Sequence, residues 1–294
     1  MKKETLEKHS KVCNFIMNYI YQYIDTNINI DELSMELSVS KFHLHRIFKE
    51  EFGKNIYETI KSIRLQKAST LLITNKHSTI TQVAKMCGYS SQTSFIRTFK
   101  ERFCMTPKEW KKSGYLHYSN KILQSSASAN NSQANFDHLE ATIVKMPPME
   151  VYYLRHQGYG KSIKQTWQKL QVWALGHNLK NYKPIGLHHD NPILNALNQC
   201  QYVACIELSP EDKQRHLNSS IPTFTIPQGV YAKFKVSGKY GDVLKLIQWV
   251  YHTWLLKSGY ETTTNPSYAI YERNHFLEED EHFILDYYVP IALN

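Results

Sequence analysis

One stretch of helix-forming sequence occurs twice in this chain, and that duplication limits the folds open to it. Residues 30–53, IDELSMELSVSKFHLHRIFKEEFG, return as residues 80–104, ITQVAKMCGYSSQTSFIRTFKERFC, with Ile30 matching Ile80, FKEEF matching FKERF and one residue inserted near the turn. Each copy reads as a short amphipathic helix, a turn of about four residues (Leu37 to Ser40; Cys87 to Ser90) and a second helix opened by a serine cap. Upstream, Phe15, Ile16, Tyr19, Ile20, Tyr23 and Ile24 recur at helical spacing, so the first part of the chain is expected to be all helix. Two helix-turn-helix units in one chain point to double-stranded DNA, because the second helix of such a unit fits a major groove.

The candidate DNA contacts follow from which side chains the second helices leave exposed. With Leu44, Ile47 and Phe48 facing a core, Phe42, His45, Arg46 and Lys49 project outward; from the second copy Gln92, Thr93, Ile96, Arg97 and Lys100 do the same. Arginine pairs bidentately with guanine and glutamine with adenine, while Phe42 or Thr93 suits a thymine methyl. Lys41, Lys49 and Lys100 are expected at phosphates, which position a protein without specifying sequence. The alternatives are a packing role for Phe42 and a solvated face for the lysines. Residues 54–74, KNIYETIKSIRLQKASTLLIT, read as a rigid helix holding the two reading helices about one DNA turn (~34 Å) apart, with Arg64 and Lys67 as added phosphate contacts.

Charge supports this division of labour. Residues 1–118 carry 19 Lys and Arg against 11 Asp and Glu, a net of +8; residues 119–294 carry 16 against 15, a net of +1. A basic excess confined to one region is the footprint of a domain that meets a polyanion. The expected organisation is therefore a DNA-binding domain over 1–118, a linker over 119–136 and a second domain over 137–294. The linker reading comes from QSSASANNSQAN, residues 124–135, which has no charge and no large apolar group. Beyond it, MEVYYLR, YVACIEL, GVYAKFKV, YAIYER and FILDYYVPI read as strands, and helical patterns surround Trp167 and Trp249, so the second domain is expected to be α+β.

A second, weaker duplication lies in that domain. Residues 151–179 and 231–260 align with Gly158 on Gly238, Tyr159 on Tyr240, Gly160 on Gly241 and Trp173 on Trp254. Two such halves packed about a pseudo-twofold axis leave room for an aromatic-lined cleft. Tyr153, Trp173, Trp254, Tyr271 and Tyr288 are its candidate ligand contacts, although each is also the kind of residue an ordinary core uses.

Residues 10–112 resemble the DNA-binding domain of the AraC/XylS family of bacterial transcriptional regulators. The resemblance rests on SKFHLHRIFKEEFGKNIYETI and ITQVAKMCGYSSQTSFIRTFKERFCMTPKEW, with Ala84, Gly88, Tyr89, Phe95, Arg97, Phe99, Lys100, Phe103, Thr106 and Pro107 in agreement. Two positions depart from it: Ser38 stands where the second copy has Gly88, and Cys104 stands where the family usually has glycine, a residue favoured where φ is positive. The resemblance implies a sequence-specific regulator, an activator that contacts RNA polymerase.

The second domain resembles the GyrI-like effector-binding domain, on IPQGVYAKFKVSGKYGDVLKLIQWVYHTWLLKSGY, YAIYER and ILDYYVPI. That resemblance implies a small-molecule effector, lipophilic or cationic, met by an acid on the last strand. Here the acid is Asp286, one methylene shorter than the family's glutamate; a structural acid bonded to a backbone amide, Arg or Tyr is the alternative. Val203 also stands where the family often has Asp.

Other chemistries lack their motifs. The sequence has no G-x-x-x-x-G-K-[ST], G-x-G-x-x-G or G-x-S-x-G, so no cofactor and no catalytic residue is expected. His188, His189 and Asp190, like His43 and His45, are too close in sequence to converge on one metal. The five cysteines are scattered and fit reduced thiols. No window approaches the roughly 18 apolar residues of a membrane span, so the chain reads as cytoplasmic. Monomer and dimer both stay open, as do two rival roles for the second domain, small-molecule hydrolysis and sequestration of another protein.

Overall fold

The computed structural model describes residues 3–213 and 221–293. The chain folds as two compact units, the first Met1–Ala68 with Thr79–Thr106, the second Ser69–Ser78 with Pro107–Asn294.

The first unit is helical. It holds α1 (Lys3–Gln22), α2 (Ile30–Glu36), α3 (Lys41–Phe52), most of α4 (Ile56–Thr74), α5 (Ile80–Met86) and α6 (Gln92–Phe103). Local chemistry marks each boundary. Asn29 caps α2 by accepting from the Asp31 N–H, and Thr79 and Gln82 form a reciprocal capping box on α5. The first helix-turn-helix unit, α2 and α3, buries Leu33, Leu44, Ile47 and Phe48 against Ile16 and Ile20 of α1. The second, α5 and α6, closes on Val83, Ala84, Phe95 and Phe99, with the Phe95, Phe99 and Phe103 rings in a row at 5.5 and 4.5 Å.

In the second unit the end of α4 is followed by α7 (Pro107–Glu109), which runs through a π-helical turn at Trp110–Gly114 into α8 (Tyr115–Ser125), and then by α9 (Ala127–Asn131). This corrects the expected flexible linker. Ser126 caps α9, Ile122, Leu123 and Ala129 are buried, Ser132 Oγ donates to Asp242 Oδ1 at 2.6 Å, and Trp249 Nε1 donates to Asp137 Oδ1 at 2.8 Å. A Ser, Ala and Asn sequence has no amphipathic signature of its own, but alanine is the best helix former and tertiary contacts hold it.

Next come β1 (Thr142–Met146), β2 (Met149–Gln157), α10 (Ile163–Gly176), β3 (Tyr182–His188), β4 (Gln201–Leu208) and α11 (Pro210–Lys213). The remainder is β5 (Thr223–Ile226), β6 (Gly229–Lys239), α12 (Asp242–Trp249), a π-helical turn at Val250–Trp254, α13 (Leu255–Ser258), β7 (Glu261–Thr262), β8 (Ser267–Arg273) and β9 (His282–Ala292). The sheet runs β1-β6-β9-β8-β3-β4-β2-β5 and is antiparallel throughout, with β7 added beside β9. Its order is a palindrome: β3 and β8, equivalent strands of the two halves, pair at the centre, and each half's first strand (β1 or β5) pairs with the other half's long strand. The duplication read in the sequence is thus a pseudo-twofold of the fold, exchanged at its edges.

Strand alternation divides the side chains between two faces. One face packs on α10 and α12: Trp167 Nε1 donates to Tyr202 Oη at 3.1 Å and its ring meets Tyr271 edge-on. The other carries Val151, Tyr153, Leu187, Tyr231, Tyr268 and Tyr288, which form a separate aromatic core. Among the described residues no helix is long and apolar enough to cross a membrane.

Candidate functional site

The exposed faces of α3 and α6 are set by their caps and buried stripes. Ser40 accepts from the His43 N–H at 3.3 Å and Ser91 from the Ser94 N–H at 3.4 Å, so both helices start in register with one another. Leu44, Ile47 and Phe48 are buried in α3, and Phe95, Thr98, Phe99 and Phe103 in α6. What remains outside is Phe42, Arg46 and Lys49 in the first copy and Gln92, Thr93, Arg97 and Lys100 in the second, with Lys41, His45 and Ile96 half-buried at the margins. Phe42 is 82% exposed, which removes the packing role as an alternative.

Each arginine is held by weak local contacts. Arg46 Nη1 sits 2.8 Å from Glu50 Oε1 and Nη2 is 3.1 Å from His43 Nδ1; Arg97 Nε is 4.0 Å from Glu101, which Lys61 also contacts at 3.1 Å. Exposed i,i+4 pairs of this kind are worth about 0.3–0.5 kcal/mol, less than the roughly 1–3 kcal/mol of discrimination from a bidentate base contact, so they pre-orient the arginines without trapping them. Lys41 is paired with Asp31 at 2.9 Å, and that hydrogen bond raises its pKa. The Gln92 carbonyl accepts from Thr81 Oγ1 at 2.8 Å, which leaves its amide N–H groups directed outward. His45 packs on Tyr57, and burial, followed by the charge of Lys41, lowers its pKa.

Arg64 differs from its sequence reading. Its Nε donates to the Ile24 carbonyl at 3.2 Å and its Nη2 to the Thr26 carbonyl at 2.6 Å, while the guanidinium carbon stands 6.0 Å from the centre of the Tyr89 ring. The side chain is therefore a staple between the end of α1 and the turn of the second helix-turn-helix unit. Burial lowers its pKa, an effect opposed by Tyr89. The positions flagged for positive φ are left-handed, Ser38 at 51°, Gly88 at 72° and Cys104 at 58°, and Gly53, the counterpart of Cys104 in the first repeat, joins them at 72°. Each repeat has two left-handed positions, and in each repeat one is glycine and the other is not.

In the second unit the structure separates the expected ligand contacts into two sets. Tyr153, Asp286 and Tyr288 share the aromatic face, where Tyr268 and Tyr288 stack at 4.8 Å and 17° and Tyr231 meets both edge-on. Trp173 and Trp254 lie on the helix side instead, against Tyr152 and Phe234 at 4.8 and 4.9 Å, and Tyr271 is buried there with Tyr202. Tyr271 is buried there because adjacent strand positions point to opposite faces, whereas Trp173 and Trp254, carried by α10 and the π-helical turn, are half-buried against the sheet. Asp286 is 3.6 Å from Lys233 Nζ, both about a third exposed. It is thus neither bonded to a backbone amide nor an isolated buried charge.

Sequence reasoning missed Tyr231, Tyr268 and Lys233. The signal lay in period-2 alternation: GVYAKFKV places Tyr231, Lys233 and Lys235 on one face and DYYVPI places Asp286 and Tyr288 on one face, but the pairing of β6 with β9 that joins them is non-local. It weighed His188 only as a metal ligand and missed His275; both are buried on the helix side, with no hydrogen-bond partner at either ring nitrogen among the described residues. Among the described residues no three His, Cys, Asp or Glu side chains are placed to share a metal ion.

Comparison with known proteins gives two family matches, a GyrI-like small molecule binding domain over residues 139–292 and a helix-turn-helix domain over residues 33–113. The xylose operon regulatory protein of Escherichia coli K12 is 36% identical over 95 residues, 32% of this chain and 24% of that protein, so the chain spans about a quarter of that relative's length. The probable transcription factor PqrA of Proteus vulgaris is 35% identical over 105 residues, 35% of this chain and 85% of PqrA. A solved EcmrR–DNA complex aligns over 90% of this chain and 99% of that chain, at 14% identity and a TM-score of 0.44.

Proposed function

Because the chain belongs to the GyrI-like small-molecule-binding family and carries an AraC-type helix-turn-helix domain, we propose that it is a sequence-specific transcriptional regulator whose second domain answers to a small effector. The observation that carries this reading is the pair of capped, equivalent helices exposing Phe42, Arg46, Gln92, Thr93 and Arg97 on a unit rich in lysine. Arg46, Arg97 and Gln92 read base edges, Phe42 and Thr93 touch thymine methyls, His45 and Ile96 line the margins, and Lys41, Lys49 and Lys100 meet phosphates. We assign DNA binding to residues 1–118, the connection to 119–136 and effector binding to 137–294.

The direction proposed is activation, with the basic unit offering RNA polymerase a surface as well as binding promoter DNA, and the compartment proposed is the cytoplasm. No catalytic step is assigned to the chain. An effector regulates only through a difference in its affinity for two states of the protein.

Selection from a random-duplex library at fixed salt tests the reading, since phosphate contacts make affinity salt-dependent. The expected result is one enriched asymmetric site spanning two adjacent major grooves. Arg46→Ala and Arg97→Ala should each cost about 1–3 kcal/mol at one base position and relax specificity there. Equal losses on cognate and random duplexes would reduce both arginines to phosphate contacts; enrichment of no sequence would overturn the regulator reading.

A further inference from the structure

We infer that the Asp286 end of the aromatic face receives the anionic head of an amphipathic ligand, a carboxylate or an equivalent oxyanion on a planar or chain-like apolar body, and not a cation. This rests on the small-molecule reading of the second domain and deepens it.

Register brings the charged groups together. Antiparallel β6 and β9 set Lys235 opposite Asp286 and Lys233 opposite Tyr288, and residues opposite one another project to the same face. That face is the one holding Tyr231, Tyr268 and Tyr288. Lys233 Nζ already answers Asp286 at 3.6 Å, the pair remaining 31% and 30% exposed, and Lys235 is exposed directly across the ladder. One acid therefore stands beside two lysines. A cation arriving here meets a paired carboxylate and the repulsion of a second ammonium, whereas an oxyanion completes a group with one positive charge in excess.

Glu207, on the same face, is likewise held by Lys183 at 3.2 Å and Lys213 at 3.1 Å, so it supplies no open carboxylate either. The apolar body has its counterpart beside the charged group: half-buried Ile270 is directly opposite Asp286 on β8, and the stacked Tyr268 and Tyr288 rings follow it. The Tyr268 hydroxyl is buried with no hydrogen-bond partner among the described residues, and burial, reinforced by Tyr231, Tyr288 and Glu207, pushes its pKa up, so it stays a protonated donor within the aromatic face.

Calorimetry on the full chain with three probes of one shape tests this: naphthalene-2-carboxylate, naphthalene-2-carboxamide and naphthalen-2-ylmethylammonium. The carboxylate should bind about tenfold or more tighter than the ammonium, with the amide between them. Lys233→Met should weaken the carboxylate by about tenfold and leave the amide unchanged, Lys233→Arg should restore it, and Asp286→Asn should strengthen it. Tightest binding by the ammonium, or a carboxylate indifferent to Lys233→Met, would overturn the ligand class while leaving the domain a small-molecule binder. Binding of none of the three would overturn both.

Discussion

Single residues in the first unit carry an opposition between sequence and backbone. Cys104 closes α6 at φ 58° and Ser38 sits in the first turn at φ 51°, where a Cβ costs roughly 1–2 kcal/mol relative to glycine, partly offset by the greater freedom of glycine in the unfolded chain. Cys104→Gly and Ser38→Gly should therefore each raise the denaturation midpoint, with a net gain of up to about 1 kcal/mol. Cys104 also differs from the other four cysteines in being exposed, and burial pushes the Cys13 and Cys87 thiols up to about 12. One thiol of five should react rapidly with a disulfide reagent in the native protein, and Cys104→Gly should abolish that fast phase. A lower midpoint for the glycine variant would show that the left-handed turn is held by something other than backbone preference, and rapid labelling of a second thiol would show that another cysteine is accessible. Both positions were legible in the sequence because they depart from glycine at a repeated site; the value of φ itself was not, since it is fixed by the C-cap hydrogen bond from Cys104 N–H to the Lys100 carbonyl.

At the scale of elements, the readings that succeeded were those of helices with a strong period and a cap, and those that failed were decided by contacts far away in sequence. The connecting helix was expected over 54–74 and is found at Ile56–Thr74, but the role of Arg64 within it was misread, because a lone arginine on a helix looks the same whether it faces a phosphate or two carbonyls. Arg64→Ala should destabilise the first unit by about 2 kcal/mol, the cost of two lost charge-assisted hydrogen bonds, and Arg64→Lys should not rescue it. Chemical denaturation checks this; a neutral Arg64→Ala would return Arg64 to the DNA surface. Gly88 is tied to the same staple, since a Cβ there would lie 2.6 Å from the Ile24 carbonyl oxygen. The α8–α9 segment is the second misreading. A Cβ on Gly241 would fall 2.2 Å from the Ser128 carbonyl oxygen although its φ of −68° suits any residue, so Gly241→Ala acts purely by displacing that backbone. Hydrogen exchange over residues 126–132 should accelerate in that variant, and unchanged protection would mean that the segment is held by its own helix propensity.

For the whole molecule, buried histidines tie stability to pH on the acid side of neutrality. Burial lowers the pKa of His188 to about 4 and of His252 to about 4, and burial followed by the charge of His188 lowers that of His275 to about 3. A histidine that is neutral in the folded state and titrates near 6.5 when unfolded contributes stability that is fully present above pH 6.5 and is lost as pH falls through the interval down to its folded pKa. Their protonation should make the urea midpoint fall as pH drops below about 6.5, with His188 and His275 titrating as a coupled pair. His275→Gln should flatten the profile; a midpoint constant from about pH 7 to 4.5 would show that these rings are solvated or already paired.

The sequence by itself determined the two helix-turn-helix units, the outward set of the reading helices, the α+β second domain and its internal duplication, because periodicity, capping and repetition are local properties that a single chain displays. Only the tertiary structure decided which face of the sheet Tyr153, Asp286 and Tyr288 share, that Trp173, Trp254 and Tyr271 belong to the other face, and that Lys233 stands beside Asp286. The strand positions among these follow from pairing between residues about fifty apart, such as Lys235 with Asp286, and a one-residue shift in that register would reverse them, whereas Trp173 and Trp254 are placed by the packing of α10 and the π-helical turn on the sheet.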